Sequence, residues 1–199
     1  NIKMIIVGGD GVNQYIYNHL KNNNLNTYVS YGMTETSSGI SGYFINKKEN
    51  FEDGFIGDSH KSVEILLESG YITVKSNVVM HKYVNDIICN DKFITKDLGK
   101  LKNGKVYFFA RKKDLIVSGG ENISLNKIRN IINACSGIID NVVISYKDHK
   151  WGEVPIVLFE AQFNKISIEQ LSIFCKEVFP DHMIPKHFIK INKIPYKNN

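Results

Sequence analysis

A hydroxyl and a carboxylate stand side by side in Tyr31-Gly32-Met33-Thr34-Glu35-Thr36, directly after a stretch, Thr27 to Tyr31, that reads as a β-strand. Thr34 can donate to a phosphate oxygen, and Glu35 can offer the oxygen ligand that a hard cation such as Mg²⁺ prefers. Tyr31, just ahead of them, can stack on a base. Ligands of α/β sheets bind outside such strand ends, so the arrangement suits a nucleotide and its metal. A second carboxylate, Asp97, sits in Thr95-Lys96-Asp97-Leu98-Gly99. Read alone it is a turn-former in a hairpin, just as Gly8-Gly9-Asp10, read alone, is a tight turn. Arg111-Lys112-Lys113 makes a charged junction ahead of the Gly119-Gly120 pair, and Trp151 is the one tryptophan.

Taken together, these motifs resemble the adenylate-forming superfamily, which contains acyl-CoA synthetases, luciferases and peptide-synthetase adenylation domains. Tyr31 to Thr36 is similar to its core signature, Gly8-Gly9-Asp10 to its Gly-Gly-Ala loop, and Thr95 to Gly99 to its Thr-Gly-Asp-Leu-Gly with Lys96 in place of the glycine. Arg111 to Ile123 is similar to its hinge and glycine loop, and Trp151-Gly152-Glu153-Val154-Pro155 to a segment of its CoA ligases. The resemblance implies that Thr34 contacts the α-phosphate of ATP and that Glu35 holds Mg²⁺. It implies that Tyr31 and Gly32, with Gly8 and Gly9, flank adenine, that Asp97 accepts from both ribose hydroxyls, and that Arg111 supports ribose and phosphates. Lys113 is then the pivot of the small domain, and Gly119 and Gly120 give the pantetheine of coenzyme A a path free of side chains, with Trp151 at the CoA entrance or anchoring its loop. Thr36, Ser37 and Ser38 approach the acyl group.

Ser-Gly-Gly-Glu-Asn at 118 to 122 is the wording of the CoA ligases rather than of peptide synthetases. Asp148 to Pro155 and Ile184 to Phe188 are similar to the o-succinylbenzoate-CoA ligase branch of menaquinone biosynthesis. The expected activity is therefore formation of an acyl-adenylate from a carboxylate and ATP, then thioester formation with CoA. A medium-chain or aryl acyl-CoA synthetase is the alternative within the superfamily, and a non-catalytic nucleotide-binding module the alternative outside it. The family's phosphate-binding loop falls upstream of Asn1 and its Gly-Lys just past Asn199, Lys197 preceding the matching position. The resemblance thus implies a C-terminal part, inactive alone in the full reaction.

The elements that must position these residues form an α/β and α+β fold. A strand at Lys3 to Val7, a helix with Val12, Ile16 and Leu20 on one side, and the strand Thr27 to Tyr31 make a β-α-β edge of a larger parallel sheet. From Val63 to Ala110 the period is two, with strands at 63–67, 71–75, 87–94 and 105–110 forming a small antiparallel sheet. Strands at 115–118, 141–145, 155–161 and 187–191, with helices from Ser124 and Ser167, make a compact α+β module. Ser167 and Gln170 form a capping box. The expected boundary is residues 1–112 for the end of the large AMP-binding domain and 113–199 for a C-terminal lid.

A length of 199 residues with 43% hydrophobic composition is enough for a core. No apolar run approaches the roughly 20 residues that cross a bilayer, so no membrane span is expected and the location is read as cytoplasmic. The +5 charge comes from scattered lysines without a basic stripe interleaved with aromatics, which argues against a nucleic-acid partner. Cys89, Cys135 and Cys175 suit neither a disulfide framework nor zinc spacing. The partners expected are the carboxylate substrate, ATP and CoA, with a homo-oligomer left open.

Overall fold

The computed structural model describes residues 2–84, 90–163 and 165–195. The chain divides into two compact units, Asn1–Lys112 and Lys113–Asn199.

The first unit begins with β1 (Ile5–Val7), α1 (Gln14–Asn22) and β2 (Thr27–Gly32), β1 and β2 pairing in parallel. Asn13 caps α1 by accepting from the Ile16 amide at 2.9 Å. The cap leaves Val12 ahead of the helix, and the buried face differs from the expected apolar one. Tyr17 and Leu20 are buried against Val29 and Ile45, Val12 packs from ahead of the cap, and Ile16 faces solvent at 41% exposure. Two short strands that period-two reading does not show follow β2 antiparallel: β3 (Gly39–Phe44) and β4 (Asp58–Ser59). Glycine weakens a strand signal, yet Gly42 is required here, because a Cβ would lie 2.4 Å from the Val29 carbonyl.

A second sheet in this unit is an antiparallel meander of β5 (Glu64–Glu68), β6 (Tyr71–Lys75), β7 (Lys92–Lys102) and β8 (Lys105–Arg111). Two-residue turns join its outer hairpins, Ser69-Gly70 and Asn103-Gly104, with φ of 50° and 82° and of 52° and 73°. Positive φ at both positions matches the right-handed strand twist. The strand expected over 87–94 falls partly on residues 87–89, outside the described ones. From Lys92 onward β7 is far longer than expected, and Asp97 lies inside it rather than in a hairpin turn. The physical reason is pairing: Asp97 stands opposite Arg111 on β8, and cross-strand charge complementarity outweighs the poor strand propensity of Lys96-Asp97 and Gly99.

The second unit has a five-stranded sheet made of β9 (Leu115–Ser118), β10 (Glu121–Ser124), β11 (Ile138–Asp148), β12 (Gly152–Ala161) and β13 (His187–Lys190). Helices α2 (Leu125–Asn133) and α3 (Ile168–Val178) complete it. Ile128 and Ile132 of α2, Leu171 and Cys175 of α3, and Val157 and Phe159 of β12 share one core. Ser124 caps α2 through the Lys127 amide at 3.3 Å. The Ser167 capping box is present, with Oγ accepting from the Gln170 amide at 3.2 Å and the Gln170 side chain accepting from the Ser167 amide at 2.8 Å. Gly119 and Gly120, at φ 58° and 89°, are the turn of the β9-β10 hairpin.

Candidate nucleotide site

In the first unit Tyr31, Thr95 and Arg111 meet at Asp97. Burial of a carboxylate requires partners, and the Asp97 carboxylate, in a residue only 6% exposed, has two. The Tyr31 hydroxyl donates to Oδ2 at 2.8 Å. Arg111 Nε stands 3.4 Å from Oδ1. The Asp97 amide donates to Thr95 Oγ1 at 3.1 Å, which fixes the backbone where Lys96 replaces the expected glycine. Burial, and after it the Asp97 charge, pushes the Tyr31 phenol well above its ordinary value, so Tyr31 stays protonated and remains a donor.

Strand β2 ends at Gly32, and the chain folds at once into a single 3₁₀ turn, Thr34–Thr36. Gly32 is obligatory: a Cβ there would lie 2.1 Å from the Ser38 carbonyl oxygen. Thr36 is turned inward at 1% exposure, accepting from the Met33 amide at 3.2 Å and lying 2.9 Å from the Ser38 carbonyl. Its hydroxyl locks the turn. Thr34, Ser37 and Ser38 are exposed and Glu35 is half-buried. The Glu35 carboxylate accepts from the Tyr83 hydroxyl at 2.5 Å. Tyr83 is a residue the sequence did not flag, since it lies in a loop without periodicity. Gly8 follows β1 and abuts Ser30 of β2, one residue from Tyr31, and Gly9 has φ 91°.

The remaining candidates belong to the second unit. Lys113 is exposed in a one-turn 3₁₀ helix, Lys112–Asp114. Gly119 donates its amide to the Trp151 carbonyl at 2.9 Å, and the indole ring lies against the glycine, where a Cβ would come within 2.9 Å of Cε3. Trp151 is 41% exposed, with the ammonium groups of Lys150 and Lys186 at 4.7 and 5.7 Å from its ring. The candidates thus fall into two groups: Gly8, Gly9, Tyr31, Gly32, Thr34, Glu35, Asp97 and Arg111 in one unit, and Lys113, Gly119, Gly120 and Trp151 in the other. Among the described residues no helix is long and apolar enough to cross a membrane.

No family model matches the chain. It is 29% identical over 211 aligned residues to the 2-succinylbenzoate-CoA ligase of Staphylococcus aureus strain MRSA252, a match covering 98% of this chain and 42% of that protein. The chain therefore spans less than half the length of the curated relatives it matches. Among solved structures it is similar to o-succinylbenzoate CoA synthetase of Bacillus subtilis in complex with its acyl-adenylate intermediate. There the TM-score is 0.87 at 29% identity, over 98% of this chain and 43% of that one. The same enzyme in complex with ATP and magnesium ion matches with a TM-score of 0.86 at 28% identity, over 97% of this chain and 43% of that one. In sequence and fold the chain is similar to a C-terminal portion of the adenylate-forming enzymes.

Proposed function

We propose that the chain is the C-terminal part of a cytoplasmic, ATP-dependent carboxylate-CoA ligase whose acid is o-succinylbenzoate. The observation that carries this reading is the Tyr31-Asp97-Arg111 cluster: a nearly buried carboxylate, charge-paired and hydrogen-bonded, in a chain that matches acid-CoA ligases along almost its whole length. Asp97 has lone pairs beyond those facing Tyr31 and Arg111 and accepts from the ribose hydroxyls of ATP. Arg111, half-exposed, adds positive charge beside ribose and phosphates. Tyr31, Gly32, Gly8 and Gly9 flank adenine. Thr34 donates to the α-phosphate, and the Met33 and Thr36 hydrogen bonds that shape the turn hold it in place.

Among the described residues there is no group of three His, Cys, Asp or Glu side chains able to cage a metal. Mg²⁺ keeps its waters and binds through one or two carboxylates plus substrate phosphates, so a single protein carboxylate beside the triphosphate is the kind of ligand it takes. Glu35 is the carboxylate. When bound, the ion neutralises phosphate charge. Residues 1–112 are then the end of the large nucleotide-binding domain and 113–199 the lid, with Lys113 as hinge. Gly119, Gly120 and Trp151 border the pantetheine of CoA.

Calorimetry with AMP tests the nucleotide part: Asp97→Ala loses roughly tenfold or more in affinity, as expected for hydrogen bonds to a charged group, whereas Glu35→Ala leaves AMP binding unchanged. Binding indifferent to Asp97 contradicts the assignment. ATP-pyrophosphate exchange in a polypeptide of the relatives' length containing this chain tests the acid. Exchange with o-succinylbenzoate supports it, and exchange with fatty or simple aryl acids alone replaces it.

A further inference from the structure

The loop that follows β6 meets the Thr34–Thr36 turn at three points. The Met80 amide donates to the Glu35 carbonyl at 2.7 Å, the Ser37 hydroxyl donates to the Val78 carbonyl at 3.0 Å, and the Tyr83 hydroxyl donates to Glu35 Oε1 at 2.5 Å. The first two bonds end on backbone oxygens and secure the turn. The third alone among them reaches the carboxylate, and its length is that of a charge-assisted bond from a hydroxyl to an anionic oxygen. A glutamate side chain has three torsions that must be ordered before it can serve as a ligand, and ordering them costs entropy. A phenol has only two, so it is an economical way to fix the carboxylate from one side.

We propose that Tyr83 is a positioning residue for Glu35: its hydroxyl holds Oε1 and orients the carboxylate for the divalent cation that accompanies a triphosphate. The role rests on the reading of Glu35 as the carboxylate for that cation. Tyr83 is 43% exposed, so its hydroxyl is not needed to fill a core. A bond that served only to close the loop would duplicate the two backbone bonds already present.

The test is calorimetry of a polypeptide of the relatives' length containing this chain, with ATP at saturating Mg²⁺, with ATP in EDTA, and with AMP in EDTA. The parent chain binds ATP more tightly with Mg²⁺. Tyr83→Phe, which removes one oxygen and keeps the ring, reduces that Mg²⁺-dependent gain by roughly tenfold, the effect of one hydrogen bond to a charged group. AMP affinity and melting temperature stay as in the parent. Glu35→Gln keeps the shape, removes the charge and abolishes the gain. A full gain in Tyr83→Phe, or an equal loss of AMP affinity, overturns the positioning role and leaves the reading of Glu35 standing. A full gain in Glu35→Gln, or no gain in the parent, removes that reading and the role of Tyr83 with it.

Discussion

Asp97 and Tyr31 form a pair in which each explains the other. A phenol in a mostly apolar setting needs an acceptor, and a carboxylate at 6% exposure needs donors. The same pair has a consequence at alkaline pH. The folded-state pKa of Tyr31 is raised, chiefly by burial and then by Asp97, and that of Tyr43 is pushed up to about 12, chiefly by burial. In the unfolded chain both ionise near the ordinary tyrosine value of about 10. Below that pH the folded and unfolded states bind the same protons at these groups. Above it the unfolded state loses them first, so stability falls as pH rises. Tyr107 and Cys175, each also pushed up to about 12 chiefly by burial, add to this decline, so thermal melts from pH 8 to 11 are expected to show it, and Tyr31→Phe is expected to make it shallower above about pH 10. An unchanged slope in that variant would place Tyr31 in a more solvated setting than the structure gives it. Asp97 also shows where residue-by-residue reading stops, because nothing in Thr95-Lys96-Asp97-Leu98-Gly99 says that Arg111 stands opposite.

Elements whose ends carry chemical signals were legible; those defined only by their partners were not. Helix α3 begins at Ser167 with Gln170 three residues on, and both reciprocal bonds form. Ser167→Ala removes the acceptor for the Gln170 amide and is expected to cost about 1 kcal/mol of the second unit's stability. Denaturant titration followed by Trp151 fluorescence reads that unit directly, since the one tryptophan lies within it. By contrast β3, written Gly-Ile-Ser-Gly-Tyr-Phe, has two glycines and becomes a strand only because β2 and β4 lie on either side of it. The long β7 runs through Lys96, Asp97 and Gly99 for the same reason: its neighbours β6 and β8 supply the ladder, with a register shift at Leu98 and Gly99 on the β8 side. For α1 the apolar spacing was visible, but the cap at Asn13 leaves Val12 ahead of the helix, and packing against Val29 and Ile45 puts Tyr17 rather than Ile16 inside.

At the scale of the molecule, the candidate nucleotide contacts belong to one unit. AMP at a hundred times its dissociation constant is expected to stabilise that unit by about 2.7 kcal/mol. Hydrogen exchange checks the location: added protection should concentrate in β2, β7 and β8, and protection confined to residues 113–199 would contradict the site. The sequence by itself determined the succession of strand and helix patterns, the change of pattern near Arg111 to Asp114, and the motifs that tie the chain to adenylate-forming enzymes. These are carried by spacing along the chain, by caps and by glycines that a turn requires. Only the tertiary structure decided that Tyr31 bonds to Asp97, that Thr36 locks its own turn and that Tyr83 holds Glu35. Tyr31 and Asp97 are separated by 66 positions, and Tyr83 and Glu35 by 48. Contacts that distant arise from strand pairing and loop docking, which local sequence does not encode.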